Sequence, residues 1–266
     1  MFGSMRFQTG ETPEDIIIFI APIIKVMRIF LRCLLIALII SLPAFLHAQK
    51  KSPPIDIGQE SMYFPHHYQK YKLQTGLGFY FTKLPYDWVE NALEAPLLDL
   101  QLTFGLPYGF SLTGSVNTVV VSNQVTIGAR WNFIHKNFSF NLGYDIGYAL
   151  GMMNIAGFSN TGMDIIHYPN LSLGYKTRST AFTLKGEAVI IGWEQMRTGE
   201  NLMVSSTNKF DGVTCALYIE QRIFRTKVLV IGLKDNYVMN YWPAWMVFST
   251  FQRYYHIPEL HLIWVL

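Results

Sequence analysis

Eleven side chains that can hold charge or move a proton recur at alternate positions along otherwise apolar segments. They are Asp99, Arg130, Asp145, Lys176, Lys185, Glu187, Glu220, Arg222, Lys234, Glu259 and His261. Their neighbours on the same side of the alternation are mainly Gly, Ser, Thr and Asn, and the opposite side is large and apolar. Acids and bases are matched in number, and His261 stands two residues from Glu259. Matched charges confined to one face pair with one another, because a lone charge held away from water is costly. A channel that selects by charge would instead show one sign in excess. The balance predicts a narrow, internally neutralised interior.

The remaining histidines are the other candidates for chemistry. A Ser-His pair that cuts lipid at a membrane rim needs its base within hydrogen-bond reach of the nucleophile. Two groupings come near that scheme: His167 with Ser159 or Asp164, and His256 with Ser249. His167 is followed by Tyr168-Pro169-Asn170, with no serine, so no catalytic residue is assigned. A rim-located lipid hydrolase or acyltransferase stands as the alternative function. His66 and His67 are adjacent in a polar stretch and lack the further ligands a metal needs. No motif for a metal or cofactor is present.

What must position the charged face is a set of strands. In 138–150 (FSFNLGYDIGYAL), Phe138, Phe140, Leu142, Tyr144, Ile146, Tyr148 and Leu150 fall on one face. Ser139, Asn141, Gly143, Asp145, Gly147 and Ala149 fall on the other. Only an extended strand sends successive side chains to opposite faces. The same alternation marks strands at about 71–82, 97–105, 110–121, 124–134, 170–176, 181–191, 212–224, 228–237 and 257–266, ten in all. Links after the second, fourth, sixth and eighth are short. Those after the first, fifth, seventh and ninth are long, including loops at about 151–166, 192–210 and 238–256. Residues 242–251 with 55–64 could add two strands and give twelve.

Alternation alone does not say which face points outward. A solvated exterior would be rich in Lys, Glu and Arg; here the polar face is small and neutral, which suits a crowded lumen. Half the chain is hydrophobic, 15% is aromatic and only 15% charged, against about a quarter charged in soluble domains. No apolar run after residue 48 is long enough for a transmembrane helix. The apolar face is therefore assigned to lipid. Aromatics beside the short turns, among them Phe104, Tyr108, Phe110, Trp131, Phe133, Phe138, Phe140 and Tyr175, form an interfacial girdle.

At the N-terminus, 27–48 combines Arg28 and Arg32, an apolar core over 33–42, Pro43 and a small residue, Ala48. This is a secretory signal, cleaved after Ala48. Translation is expected to start at Met27, since the apolar stretch DIIIFIAPII serves no purpose ahead of a signal. Residues 49–70 are expected to be a periplasmic lead-in. The formal charge of +3 drops by one when the signal is removed, too little to attract nucleic acid. Cys33 leaves with the signal, so Cys215 remains without an internal disulfide partner.

A signal, dyad repeats, alternating short turns and long loops, and aromatic girdles together resemble bacterial outer-membrane β-barrel proteins over about 71–266. The resemblance implies an all-β, up-and-down antiparallel transmembrane barrel in the outer membrane of a Gram-negative envelope. Its function would be envelope structure or binding, or porin-like passage of a small or hydrophobic solute. Implied partners are outer-membrane lipid and the barrel insertion machinery, which reads a C-terminal strand such as Leu260, Leu262, Trp264 and Leu266. Such barrels commonly end in an aromatic residue; this chain ends in Leu266. The apolar loop residues Met152, Met153, Met163, Met196, Met203, Met239, Trp242, Trp245 and Met246 suggest a hydrophobic ligand or protein at the mouth, or a lid packed over it. Mass-spectrometric sequencing of the mature chain is expected to begin at Gln49; a mature chain still carrying 27–48 would reveal an uncleaved anchor.

Overall fold

The computed structural model describes residues 57, 60–88, 96–119, 121–155, 158–224, 227–245 and 253–266. Residues 1–48, which include the expected signal at 27–48, lie outside them. Ten strands run in chain order: β1 (Leu73–Thr82), β2 (Pro96–Gly105), β3 (Phe110–Val119), β4 (Ser122–His135), β5 (Phe138–Ile155), β6 (Phe158–Lys176), β7 (Thr180–Thr198), β8 (Asn201–Phe224), β9 (Lys227–Val238) and β10 (Tyr255–Val265). Each pairs antiparallel with its neighbours in sequence, and β1 pairs with β10, closing a ten-stranded barrel. Closure leaves no edge with unpaired backbone, the condition for a sheet to stand in hydrocarbon. No helix among the described residues is long and apolar enough to cross a membrane, which says nothing of crossing by strands.

The twelve-stranded alternative is not what forms. Trp242–Ala244 is a short 3-10 helix, 62–64 is a run of bends, and 246–252 lies outside the described residues. The long loops expected at 151–166 and 192–210 are corrected more fully. Apart from 156–157, which lie outside the described residues, and a turn at 199–200, they are strand, continuing β5 to Ile155, β6 from Phe158, and β7 into β8, with β8 alone 24 residues long. A tilted strand needs about 9–11 residues to cross a bilayer, so these hairpins stand well clear of the apolar belt. There lipid no longer covers the outer face, and the alternation that marks a membrane strand fades from the sequence.

Burial settles which face is which. Leu142, Ile127 and Leu233 on the outer face are 55%, 67% and 60% exposed, whereas Asp99 and Glu220 on the inner face are 1% and 0% exposed. A soluble barrel with an apolar interior would show the reverse. The outer belt is continuous and far larger than the few hundred Å² that soluble monomers tolerate. Near the short-turn end its aromatics touch across neighbouring strands, Phe110 stacking on Trp131 at 5.7 Å and Phe138 lying 5.0 Å from Tyr175, and along β4, where Trp131 lies 4.1 Å from Phe133 between ring centres. In detergent, unheated protein should migrate faster on a denaturing gel than boiled protein. Identical migration, together with solubility in the absence of detergent, would overturn a membrane barrel.

Candidate functional site: a lumen closed at both ends

The inner faces of the strands bring the charged residues together in layers. Arg130 on β4 reaches Asp145 on β5 at 3.6 Å. Asp145 also accepts from Thr113 at 3.0 Å and from Asn170 at 2.9 Å. Either Arg130 or Lys176 would have satisfied the sequence pattern. Lys176 sits at the far end of β6, eight residues from Tyr168, which faces Asp145. Lys185 and Glu187, two apart on β7, form an ion pair, and Thr214 donates to Glu187 at 3.0 Å. On β9 and β10, Glu259 takes Lys234 at 3.9 Å, His261 at 2.7 Å and Asn236 at 2.7 Å. Asp99, 1% exposed, accepts from Gln101 at 2.8 Å. Buried charges hold only when the geometry also satisfies their hydrogen-bonding capacity, and most of these carboxylates have two or more donors.

Glu220 does something else. Its carboxylate accepts three successive backbone N–H groups, from Met62 at 2.6 Å, Tyr63 at 3.0 Å and Phe64 at 2.5 Å. Those residues belong to 49–70, the stretch expected to be a periplasmic lead-in. Instead they fold up into the lumen at the short-turn end, where Ile57, Met62, Tyr63 and Phe64 join Ala181, Ala216, Tyr218, Val228, Val230, Ile263 and Val265 in one apolar cluster. Tyr63 stacks on Tyr218 at 3.9 Å. Tyr68 donates to the Met62 carbonyl at 2.7 Å, and Gln74 to that of Glu60 at 2.6 Å. Arg222 approaches Glu60 at 3.9 Å. Burial pushes the Tyr68 phenol above its ordinary pKa, so it remains a donor. The lumen's small residues make room for this plug: a Cβ at Gly76 would lie 2.6 Å from the Met62 sulfur, and one at Gly174 2.7 Å from the Phe64 ring.

The opposite end is closed from the loop after β9. Asn240 donates its backbone N–H to Asp211 of β8 at 3.2 Å and its side-chain amide at 2.8 Å. Tyr241 then dips inward, donating to Glu259 at 2.8 Å beside Thr82, 2.8 Å away. Burial, then the Glu259 carboxylate, raises the Tyr241 pKa well above its usual value and keeps the phenol protonated. Trp242 and Trp245 stack over the mouth with Met196, Ile166, Val189 and Tyr255. The Trp245 indole donates to the Val121 carbonyl at 3.3 Å and lies against Gly162, where a Cβ would stand 2.8 Å from the ring. Of the apolar residues expected at the mouth, Trp242, Trp245 and Met196 build this lid; Met152 and Met203 are exposed on the hairpins. Met246 lies outside the described residues.

Between plug and lid remains a polar chamber of about 150 Å³ lined by the ion pairs above. Sequence reasoning missed three of the lumen's acids. Asp164, Glu194 and Asp211 face inward near the mouth and are buried, and Asp164 stands opposite Glu194 across β6 and β7. All three fell in or beside segments taken for loops, so the interior is more acidic at this end than the matched count implied. The histidine groupings do not assemble as a Ser-His scheme needs. His167 faces outward and meets the Tyr144 hydroxyl at 2.9 Å, on the opposite face of β6 from Asp164. His256 meets Asp235 at 2.8 Å, and Ser249 lies outside the described residues. His66 is buried in the plug and His67 bonds the Asn132 carbonyl at 3.1 Å. Among the described residues no His, Cys, Asp and Glu group could hold a metal ion.

No protein-family model matches the chain, and no curated protein matches it in sequence. Solved structures with a similar course are bacterial outer-membrane barrels. Neisserial surface protein A is 11% identical over 73% of this chain and 94% of its own, with a TM-score of 0.33. Ail, the attachment invasion locus protein of Yersinia pestis, is 8% identical over 74% and 98%, at 0.27. OccK11 of Pseudomonas aeruginosa is 12% identical over 73% and 66%, at 0.26. At these scores the likenesses carry no weight for function, and the architecture stands on the chain's own closed sheet.

Glu220→Ala would leave three buried N–H groups without an acceptor, each worth about 1–3 kcal/mol. With partial relaxation the plug should lose on the order of 3 kcal/mol. Limited proteolysis should then cut within 57–70 while the barrel stays heat-modifiable; continued resistance there would show that the plug does not depend on Glu220.

Proposed function

We propose that the chain is a non-enzymatic outer-membrane barrel of a bacterial envelope that works by binding rather than by open conduction. The short turns face the periplasm and the tall hairpins face the exterior. The observation that carries this reading is closure of the lumen from both directions by segments of the chain itself, Met62–Phe64 on Glu220 and Tyr241 on Glu259. Most charges in what is left are paired, so an ion entering would not meet a continuous water column. Membrane lipid covers the apolar belt, and the insertion machinery would read the outward Leu260, Leu262 and Trp264 of β10. The exposed Met152, Leu202 and Met203 on the hairpins suit contact with a protein or hydrophobic ligand outside the cell.

The enzymatic alternative gains no support from the outward His167 and the exposed His256, which contact Tyr144 and Asp235 rather than a serine hydroxyl. Single-channel recording in a planar bilayer tests the reading. Native barrel should give no steady conductance, and a variant lacking 57–68 with Trp245→Ala and Tyr241→Ala should give measurable current. A large, steady native conductance would overturn it.

A further inference from the structure

Three carboxylates at the mouth end of the lumen lack an ion-pair partner. Asp164 on β6 and Glu194 on β7 stand opposite one another, each 3% exposed, and Asp211 on β8 is 1% exposed. Among the described residues neither Asp164 nor Glu194 has a hydrogen bond or an ion pair. The Asp211 carboxylate receives only Asn240. Glu194 and Asp211 are near enough to Asp164 to repel it. The bases deeper in the lumen are already taken: Arg130 by Asp145, Lys185 by Glu187, and Lys234 and His261 by Glu259. Lys209 attracts Glu194 and Asp211 from beyond ion-pair distance.

Buried carboxylates without donors are costly, because burial penalises the charge and like charges close by add to the penalty. Elsewhere in this lumen the chain supplies its own cations. At the mouth it supplies acids around a space. Asp164 and Asp211 line the chamber of about 150 Å³, and the rings of Tyr168, Tyr241 and Trp242 line it with them. Carboxylates set among aromatic faces suit an organic ammonium ion, which bonds to the first and is attracted to the second. A metal ion is poorly served, since among the described residues no group of acids or histidines could hold one.

We propose that the chamber binds a short aliphatic diamine such as putrescine, with one ammonium on Asp164 and the other on Asp211, while Glu194 adds its charge from the wall. The proposal rests on the closed-lumen reading above and names a ligand for it. Charge sets the valence: three carboxylates offset by Lys209 leave two negative charges, which a dication matches and a monoamine does not. Size sets the length. A chamber of about 150 Å³ holds about five waters at about 30 Å³ each, which is room for a short chain and not for a long polyamine. Enclosure sets the form: beneath Trp242 the chamber admits a free small molecule when the lid lifts, not a side chain tethered to a partner protein.

The test is equilibrium dialysis of radiolabelled putrescine against the full-length barrel in nonionic detergent at pH 8. Native protein should bind one putrescine per chain, saturably. Asp164→Asn should raise the half-saturating concentration roughly tenfold or more, as loss of a charged acceptor does, and Glu194→Gln should raise it less. Both variants should stay heat-modifiable. Butylamine, with a single charge, should compete only weakly. Trp245→Ala should speed release of bound putrescine several-fold after dilution, which a site on the outer surface would not show. Binding indifferent to Asp164→Asn overturns the proposal. So does the lack of saturable binding, which would mean that the carboxylates hold protons instead. Displacement of putrescine by equimolar calcium or magnesium overturns it in favour of a metal ion. A native barrel that conducts steadily yet binds putrescine in an Asp164-dependent way would fail the closed-lumen reading and uphold the amine site.

Discussion

The rest of this structure hangs on one carboxylate receiving three successive amides. Glu220 is fully buried, and a charge there is tolerable only because Met62, Tyr63 and Phe64 aim their N–H groups at it. The dependence runs both ways: bends at 62–64 leave those amides without a ladder, and buried amides need acceptors as much as the carboxylate needs donors. Ten strands enclose more space than their own inward side chains fill, and the returned segment occupies it with Ile57, Met62, Tyr63 and Phe64.

The same strand governs the other end. Asp211, nine residues along β8 from Glu220, receives Asn240, and this contact places Tyr241 over Glu259. One long strand thus carries a carboxylate for the plug and another for the lid. Between them the ion pairs are short-range and mostly multiply bonded, which favours a fixed interior over a fluctuating one. Glycines face these inserted side chains because a Cβ would collide with them at Gly76, Gly162 and Gly174. What looks in composition like a lining suited to a narrow pore is a mould for the residues that block it.

The barrel itself is legible in the sequence because a membrane strand must alternate: Leu142 must face lipid and Asn141 must not. That requirement marks ten strands, their closing order and the inward set that includes Asp145 and Arg130. It disappears where lipid no longer imposes it. The outer part of β8 carries polar residues on both faces, Asn201, Ser205, Ser206, Thr207 and Asn208 among them, so 192–210 reads as loop although it is ladder. Glu194 and Asp211 were lost from the interior with it, and Asp164 with the segment 151–166. The plug is hidden for a different reason. Its residues are neither helical nor extended, their polar contacts are made by backbone, and the partner, Glu220, is over 150 residues away.

The most direct measurement is amide hydrogen exchange at Met62, Tyr63 and Phe64 in the folded protein. If Glu220 holds the plug, these three amides exchange as slowly as those in the middle of β4 and β5, over hours, and Glu220→Ala returns them to seconds while the strand amides are unchanged. Exchange within seconds in the native barrel, with the strands protected, would contradict the account.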